Sequence, residues 1–125
     1  MTQYLSLEDA LLQVASLGFH VQDSGLLESA LARPRASLAG KDAYPALSLK
    51  AAALLQSVIK NHSLLDGNKR SGWLLMVSFL FVNGFRHDMD TQTAFDLTMG
   101  LAEGRYDHVE AAELIEKHLV ARANG

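Results

Sequence analysis

HSLLDGNKR, residues His62 to Arg70, and WLLMVSFLFV, residues Trp73 to Val82, decide how this chain is read. The first stretch gathers an imidazole, a carboxylate, an amide and two cations around one glycine; the second has Ser78 as its only polar member. A charge-dense turn feeding an apolar helix fits an anion-binding, acid–base site, because the first N–H groups of a helix lack intrahelical partners and attract phosphate. In a small chain, a helix apolar around most of its circumference predicts burial at the centre of a bundle.

Outward from that pair, nearly every signal is helical. Ser6 with Asp9 forms a capping pair ahead of Leu7, Leu11, Val14 and Ala15, and Gly18 closes this first helix. Asp23 or Ser24 caps a second, with Leu27, Ala30 and Leu31 facing inward until Pro34 interrupts it. Ala36 to Leu47, with Gly40-Lys41-Asp42 and Pro45, reads as a loop holding at most a short extended piece. Ser48 starts a third helix whose apolar stripe is Ala51, Leu54, Leu55, Val58 and Ile59. Beyond the motif and the apolar helix, Asn83-Gly84 is a stop. Asp90 opens a fifth helix carrying Ala94, Leu97, Thr98 and Leu101, and Asp107 with Glu110 starts a sixth that buries Ala111, Ile115 and Leu119 before a polar tail. The expectation is an all-α fold of about six helices around a central buried helix, forming one domain over residues 1–125.

Composition narrows the function classes. A length of 125 residues, 49% hydrophobic and 20% charged, suits an ordinary folded domain with a real core. A net charge of −3 gives no whole-protein field for nucleic acid, so any nucleotide affinity must come from a local cluster. The lack of cysteine excludes disulfides and thiolate metal sites. The N-terminus lacks the basic region of a secretion signal, and the run at Trp73 to Val82 is about half of a bilayer span. A cytoplasmic protein with no membrane contact is expected.

Each motif residue has a chemical use. His62 has the one side chain there that titrates near neutrality, so it can take a proton from a hydroxyl. Asp66 is a hard oxygen ligand suited to Mg²⁺ on nucleotide phosphates. Gly67 permits a sharp turn and close approach to a ligand. Asn68, Lys69 and Arg70 begin the apolar helix, where N–H groups and the helix dipole favour an anion; Arg70 can clamp phosphate with two bonds and Lys69 adds a mobile charge. Together these suit phosphoryl or nucleotidyl transfer. Asp-Gly-Asn is also ordinary turn chemistry, and Lys-Arg at a helix start is also what a wet surface carries. A Walker loop fails for want of its glycine spacing, and an EF-hand for want of alternating acids. His20, His87, His108 and His118 have no metal-ligand spacing and read as solvated or structural. The aromatics from Trp73 to Phe81 read as core, and Glu113, Glu116 and Lys117 as a solvated face.

HSLLDGNKR resembles the Fic motif, HPFxDGNGR or HPFxDGNKR, and its lysine is that of the Doc (death-on-curing) branch. DSGLLESALARP, Asp23 to Pro34, and KAAALLQSVIKNH, Lys50 to His62, are similar to Doc-type sequence in the same order, so the resemblance runs from about Tyr4 to Val120. It implies a helical Fic fold with His62 as general base and Asp66 as the Mg²⁺ holder. It also implies Asn68 and Arg70 at phosphate positions and the backbone of Gly67 and its neighbours as an anion hole, with Lys69 and Arg70 serving both catalysis and ATP binding.

Most Fic enzymes transfer AMP and carry glycine where this chain has Lys69 and a second arginine where it has Trp73. The Doc branch is instead associated with moving the γ-phosphate of ATP to a threonine of elongation factor Tu, which stops translation. A Phd-like antitoxin, whose disordered tail folds as a helix into a groove beside the site, is the implied partner. Ser63 and Leu64 depart from the family's proline and phenylalanine. Serine lifts a backbone restriction on the chain leaving His62, while leucine still buries apolar area. A catalytically silent interaction module and an AMP transferase are the alternative readings. TMGLAEG, Thr98 to Gly104, misses the spacing of the self-inhibitory Fic helix by one residue and reads as a helix end.

Overall fold

The computed structural model describes residues 1–64 and 66–123. Its described residues form six α-helices: α1 (Leu7–Ser16), α2 (Ser24–Ala32), α3 (Leu47–Asn61), α4 (Asn68–Val82), α5 (Thr91–Ala102) and α6 (His108–Lys117). A 3-10 turn, Arg33–Arg35, follows α2. Four short strands, β1 (Ser37–Leu38), β2 (Lys41–Asp42), β3 (Phe85–His87) and β4 (Leu119–Ala121), make two antiparallel pairs, β1 with β2 and β3 with β4. The mostly helical architecture expected from periodicity is present, and none of the described helices is long and apolar enough to cross a membrane.

The helix starts are set by local chemistry. The Ser6 hydroxyl accepts from the Asp9 N–H at 3.1 Å, and carboxylates cap three more helices: Asp23 for α2, Asp90 for α5 and Asp107 for α6. At α6 the box is reciprocal, since the Glu110 side chain accepts from the Asp107 N–H. Each such cap satisfies an N–H that the helix leaves unpaired, and typically adds about 1 kcal/mol. The third helix differs from its predicted start. It begins one residue early, at Leu47, and Ala46 provides no side-chain cap. Burial holds that end instead, because Ser48 and Lys50 of the first turn are both inside.

The centre of the bundle is α3, not the apolar α4. Ten of the fifteen residues of α3 are buried, and it packs against α2, α4, α5 and α6. Its alanines at 51, 52 and 53 explain this, since small side chains let neighbours close on several faces. On α4 only Ser71, Gly72, Leu75, Met76, Phe79 and Leu80 are buried; Trp73, Leu74 and Val77 are half-buried and Phe81 and Val82 exposed. The hydrophobic run thus serves two surfaces, the core and an open groove. Gly72 lets α4 pack closely on α3, because a Cβ there would meet Leu55 of α3 at 3.3 Å.

β1 and β2 are the short extended piece expected within Ala36 to Leu47, whereas β3 and β4 went unseen because three residues are too few to show period-two alternation. β1 and β2 join through Ala39 and Gly40, both at positive φ, which is the twist that tight hairpins need. Lys50 anchors this hairpin: its ammonium, 2% exposed, donates to the Pro34 carbonyl at 3.1 Å and pairs with Asp42 at 3.2 Å. The predicted polar tail is in part β4, which returns to β3 and fixes the segment before α5; residues 124 and 125 of that tail lie outside the described residues.

Candidate active site

The turn between α3 and α4 is held chiefly by main-chain bonds. His62 ends α3 in the left-handed region, at φ 52° and ψ 43°, so the chain reverses sharply there. Ser63, fully buried, accepts at its carbonyl from the N–H groups of Gln22 (2.8 Å) and Asp23 (2.9 Å). Leu64, also buried, forms a bridge with Val21. Both ends of the Asn68 amide then grip Leu64: Oδ1 accepts from its N–H at 3.1 Å and Nδ2 donates to its carbonyl at 2.9 Å. These bonds hold the chain beyond His62 where the family motif would use proline. The hydroxyls of Ser63 and Ser71 are buried without a hydrogen-bond partner among the described residues.

Gly67 caps α4 with φ +82°, and an added Cβ would lie 2.5 Å from the Phe19 ring. Glycine is therefore required twice, by the backbone angle and by the aromatic face pressed against it. Asp66 is exposed, and its Oδ1 accepts from the Gly67 N–H at 2.8 Å, which leaves Oδ2 open to a cation. Lys69 and Arg70 are exposed and make no hydrogen bond or ion pair among the described residues. Two unneutralised cations at a helix start reinforce the positive end of the helix dipole.

Residues Asp66 to Arg70 form one end of a groove of about 1000 Å³ running between the end of α1, α4, β3 and α5. Phe19, Trp73, Leu74 and Val77 supply an apolar wall, and Ala94, Phe95, Thr98 and Met99 of α5 face it. Here the two sides of α5 divide: Leu97 and Leu101 enter the core, while residues 94 and 98 line the groove. His62 is exposed but is not among the lining residues. The structure thus brings together Asp66, Gly67, Asn68, Lys69 and Arg70, and sets the imidazole outside their groove.

Trp73, expected in the core, is half-buried in the groove wall. His87, expected in a solvated or hydrogen-bonded structural role, is hydrogen-bonded and also stands edge-on to Trp73, with ring centroids 5.1 Å apart and an interplanar angle of 76°. The Met89 N–H donates to His87 Nδ1 at 3.0 Å. Burial pushes the His87 pKa below its ordinary value; the Asp88 carboxylate opposes this, and His118 and Arg86 add to it. No sequence signal marked this residue, because its placement depends on the unforeseen β3–β4 pair. The other histidines keep their expected kind of role: His118 bonds Asp88 at 2.7 Å, His108 meets Tyr44 edge-on and His20 is exposed. Thr98 donates to the Ala94 carbonyl within α5, and Glu103 caps that helix while pairing with Arg105, so this segment is the helix end it was read to be.

No cluster of three or more His, Cys, Asp or Glu side chains able to hold a metal exists among the described residues. A cation at Asp66 would therefore draw most of its ligands from phosphate oxygens and water, which is how Mg²⁺ commonly binds.

Residues 2–80 match the model of the Fic/DOC family. The chain is 50% identical over 103 residues to "Toxin Doc" of Mycolicibacterium smegmatis, a match covering 78% of each chain. With its motif turn, helical frame and these two matches, this chain belongs to the Fic/DOC family.

Proposed function

We propose that this protein is the toxin of a toxin–antitoxin pair and a phosphotransferase that moves the γ-phosphate of Mg-ATP to a protein hydroxyl. The observation that carries this is the pair of exposed cations, Lys69 and Arg70, at the start of α4 beside exposed Asp66 and open to the groove. The chain's similarity to a protein named Toxin Doc supports the toxin role. Bound ATP would supply the phosphoryl group and a divalent cation would offset its charge. Arg70 can hold phosphate oxygens in a fork, and Lys69 adds charge where negative charge gathers in transfer. Asp66 would hold the cation through Oδ2, and the N–H groups at the start of α4 add donors. His62 would take the proton of the attacking hydroxyl. The hydroxyl oxygen forms a bond to the γ-phosphorus as the bond to the bridging oxygen breaks, so ADP departs and the proton rests on the imidazole.

A threonine of elongation factor Tu is the proposed acceptor and a Phd-like antitoxin the proposed partner in trans. The test is intact-mass measurement of purified elongation factor Tu after incubation with the protein and Mg-ATP. A phosphate-sized gain, lost in His62→Ala and Asp66→Ala, is expected. An AMP-sized gain would replace this reading with adenylylation. One observation favours a second reading, a silent interaction module: His62 lies outside the groove lined by the other motif residues. That reading gives antitoxin binding with no mass change by the folded protein.

A further inference from the structure

We propose that His87 is a recognition residue of the groove, donating from Nε2–H to an acceptor on a heterocyclic base that sits against Trp73. This rests on reading the Asp66–Arg70 turn as a phosphate site, and it assigns the other end of the ligand. The Met89 N–H donates to His87 Nδ1, and a ring nitrogen can accept only when it carries no proton. The neutral ring therefore holds its one proton on Nε2. That donor has no partner among the described residues, on a side chain that lines the groove. β3 pairing with β4 fixes the backbone of His87, and the Trp73 indole fixes the ring. One tautomer held in one orientation can serve as a specificity element, and the half-buried ring keeps Nε2 accessible to a ligand.

The surroundings narrow the ligand. The groove is cationic at the turn, and beyond it Trp73, Phe95 and Met99 offer aromatic and polarisable surface. Inorganic phosphate or triphosphate would satisfy the first part and leave the second uncovered. A phosphorylated nucleoside satisfies both: its phosphates meet Lys69 and Arg70, its flat base covers the Trp73 side, and a ring nitrogen or carbonyl of the base accepts from His87. Such pairing also discriminates, because a base that covers the Nε2–H without offering it an acceptor takes that donor from water and is penalised.

Trp73 is the only tryptophan in the chain, so its fluorescence reports this end of the groove directly. The experiment compares Mg-ATP with magnesium tripolyphosphate by calorimetry and by Trp73 emission, using the wild-type protein, His87→Phe and His87→Gln. Phenylalanine keeps a ring beside Trp73 and removes both nitrogens; glutamine restores a donor near the Nε2 position. We expect ATP to bind at least about tenfold more tightly than tripolyphosphate and to change Trp73 emission, which tripolyphosphate leaves alone. His87→Phe should lower ATP affinity about five- to tenfold, the scale of one lost hydrogen bond, without touching tripolyphosphate, and His87→Gln should recover much of the loss. Equal binding of the two ligands, with no effect of His87→Phe, overturns the base subsite while the phosphate reading of the turn stands. Binding of neither by the folded wild-type protein overturns the phosphate reading and this inference with it. Where His87→Phe does not fold, the wild-type comparison still tests the base subsite beside Trp73, and His87→Gln tests the donor.

Discussion

Asn68 grips Leu64 by both ends of its side-chain amide, one accepting from the Leu64 N–H and the other donating to its carbonyl. This imitates a backbone pair and closes the motif turn on itself. Asn68→Ala should therefore cost about 1–3 kcal/mol in denaturant unfolding, since two partly buried main-chain groups lose their partners. Asn68→Asp keeps the acceptor for the Leu64 N–H but sets a carboxylate against the carbonyl, so it should not restore stability. Hydrogen exchange at the Leu64 amide reads the effect locally: it should quicken strongly in Asn68→Ala while amides in the middle of α6 change only with global stability.

Gly67 and Phe19 make the same turn intolerant of side chains. Gly67→Ala must meet both a positive φ and the Phe19 ring 2.5 Å from the new Cβ. The angle alone costs about 1 kcal/mol, and the clash adds to it. In the double variant Gly67→Ala/Phe19→Ala the clash is gone, so the penalty of Gly67→Ala should fall back to about 1 kcal/mol when measured against Phe19→Ala. A penalty unchanged by removing the ring would mean that Phe19 does not restrict the turn.

How far the sequence reached follows from what each feature depends on. The carboxylate caps of α2, α5 and α6 and the stripe of α3 were legible, because capping and helical spacing are local properties. The order of burial between α3 and α4 was not, because it depends on which helices pack where. The alanines of α3 admit neighbours on several faces, whereas Trp73, Leu74 and Val77 of α4 line a groove. The motif residues were legible as chemistry, yet their geometry was not. Nothing local foretold that Asn68 would spend its side chain on Leu64, or that Ser63 would be pinned by Gln22 and Asp23. His87 needed its β4 partner Leu119, thirty-two residues onward, before it had a position at all.

Lys50 links the β1–β2 hairpin to the core. Burial pulls its ammonium pKa down, but the neighbouring Tyr4 and Asp42 side chains outweigh that, and the group sits above its ordinary value. A lysine whose pKa is raised on folding contributes stability that is fully present below about 10.5, its unfolded value, and is lost as pH rises through the folded value. Wild-type protein should accordingly lose stability in that alkaline range, and Lys50→Met should show a weaker dependence there. At neutral pH, Lys50→Met should cost about 1–3 kcal/mol, because the Pro34 carbonyl loses its donor and the hairpin its anchor. Thermal melts at neutral and alkaline pH check both statements, and parallel pH curves for the two proteins would contradict the first.

His87 has the opposite sign. Its pKa is lowered in the folded protein, chiefly by burial, so the unfolded chain binds the proton more readily. Stability rises with pH wherever the unfolded state holds more protons, so the full contribution of neutral His87 is present above about 6.5 and is eroded as pH falls below it toward the folded value. Protonation has a structural consequence as well, because a protonated Nδ1 cannot accept from the Met89 N–H. Acidification should thus loosen the segment between β3 and α5 before the helices melt. Trp73, edge-on to the ring, reports it: its emission should titrate below pH 6.5 in wild-type protein and stay flat in His87→Phe. Thermal stability should decline from pH 7.5 to 5 less steeply in that variant than in the wild type, since only the wild type carries this proton linkage. Identical emission and stability profiles would show that His87 protonation is not coupled to the groove.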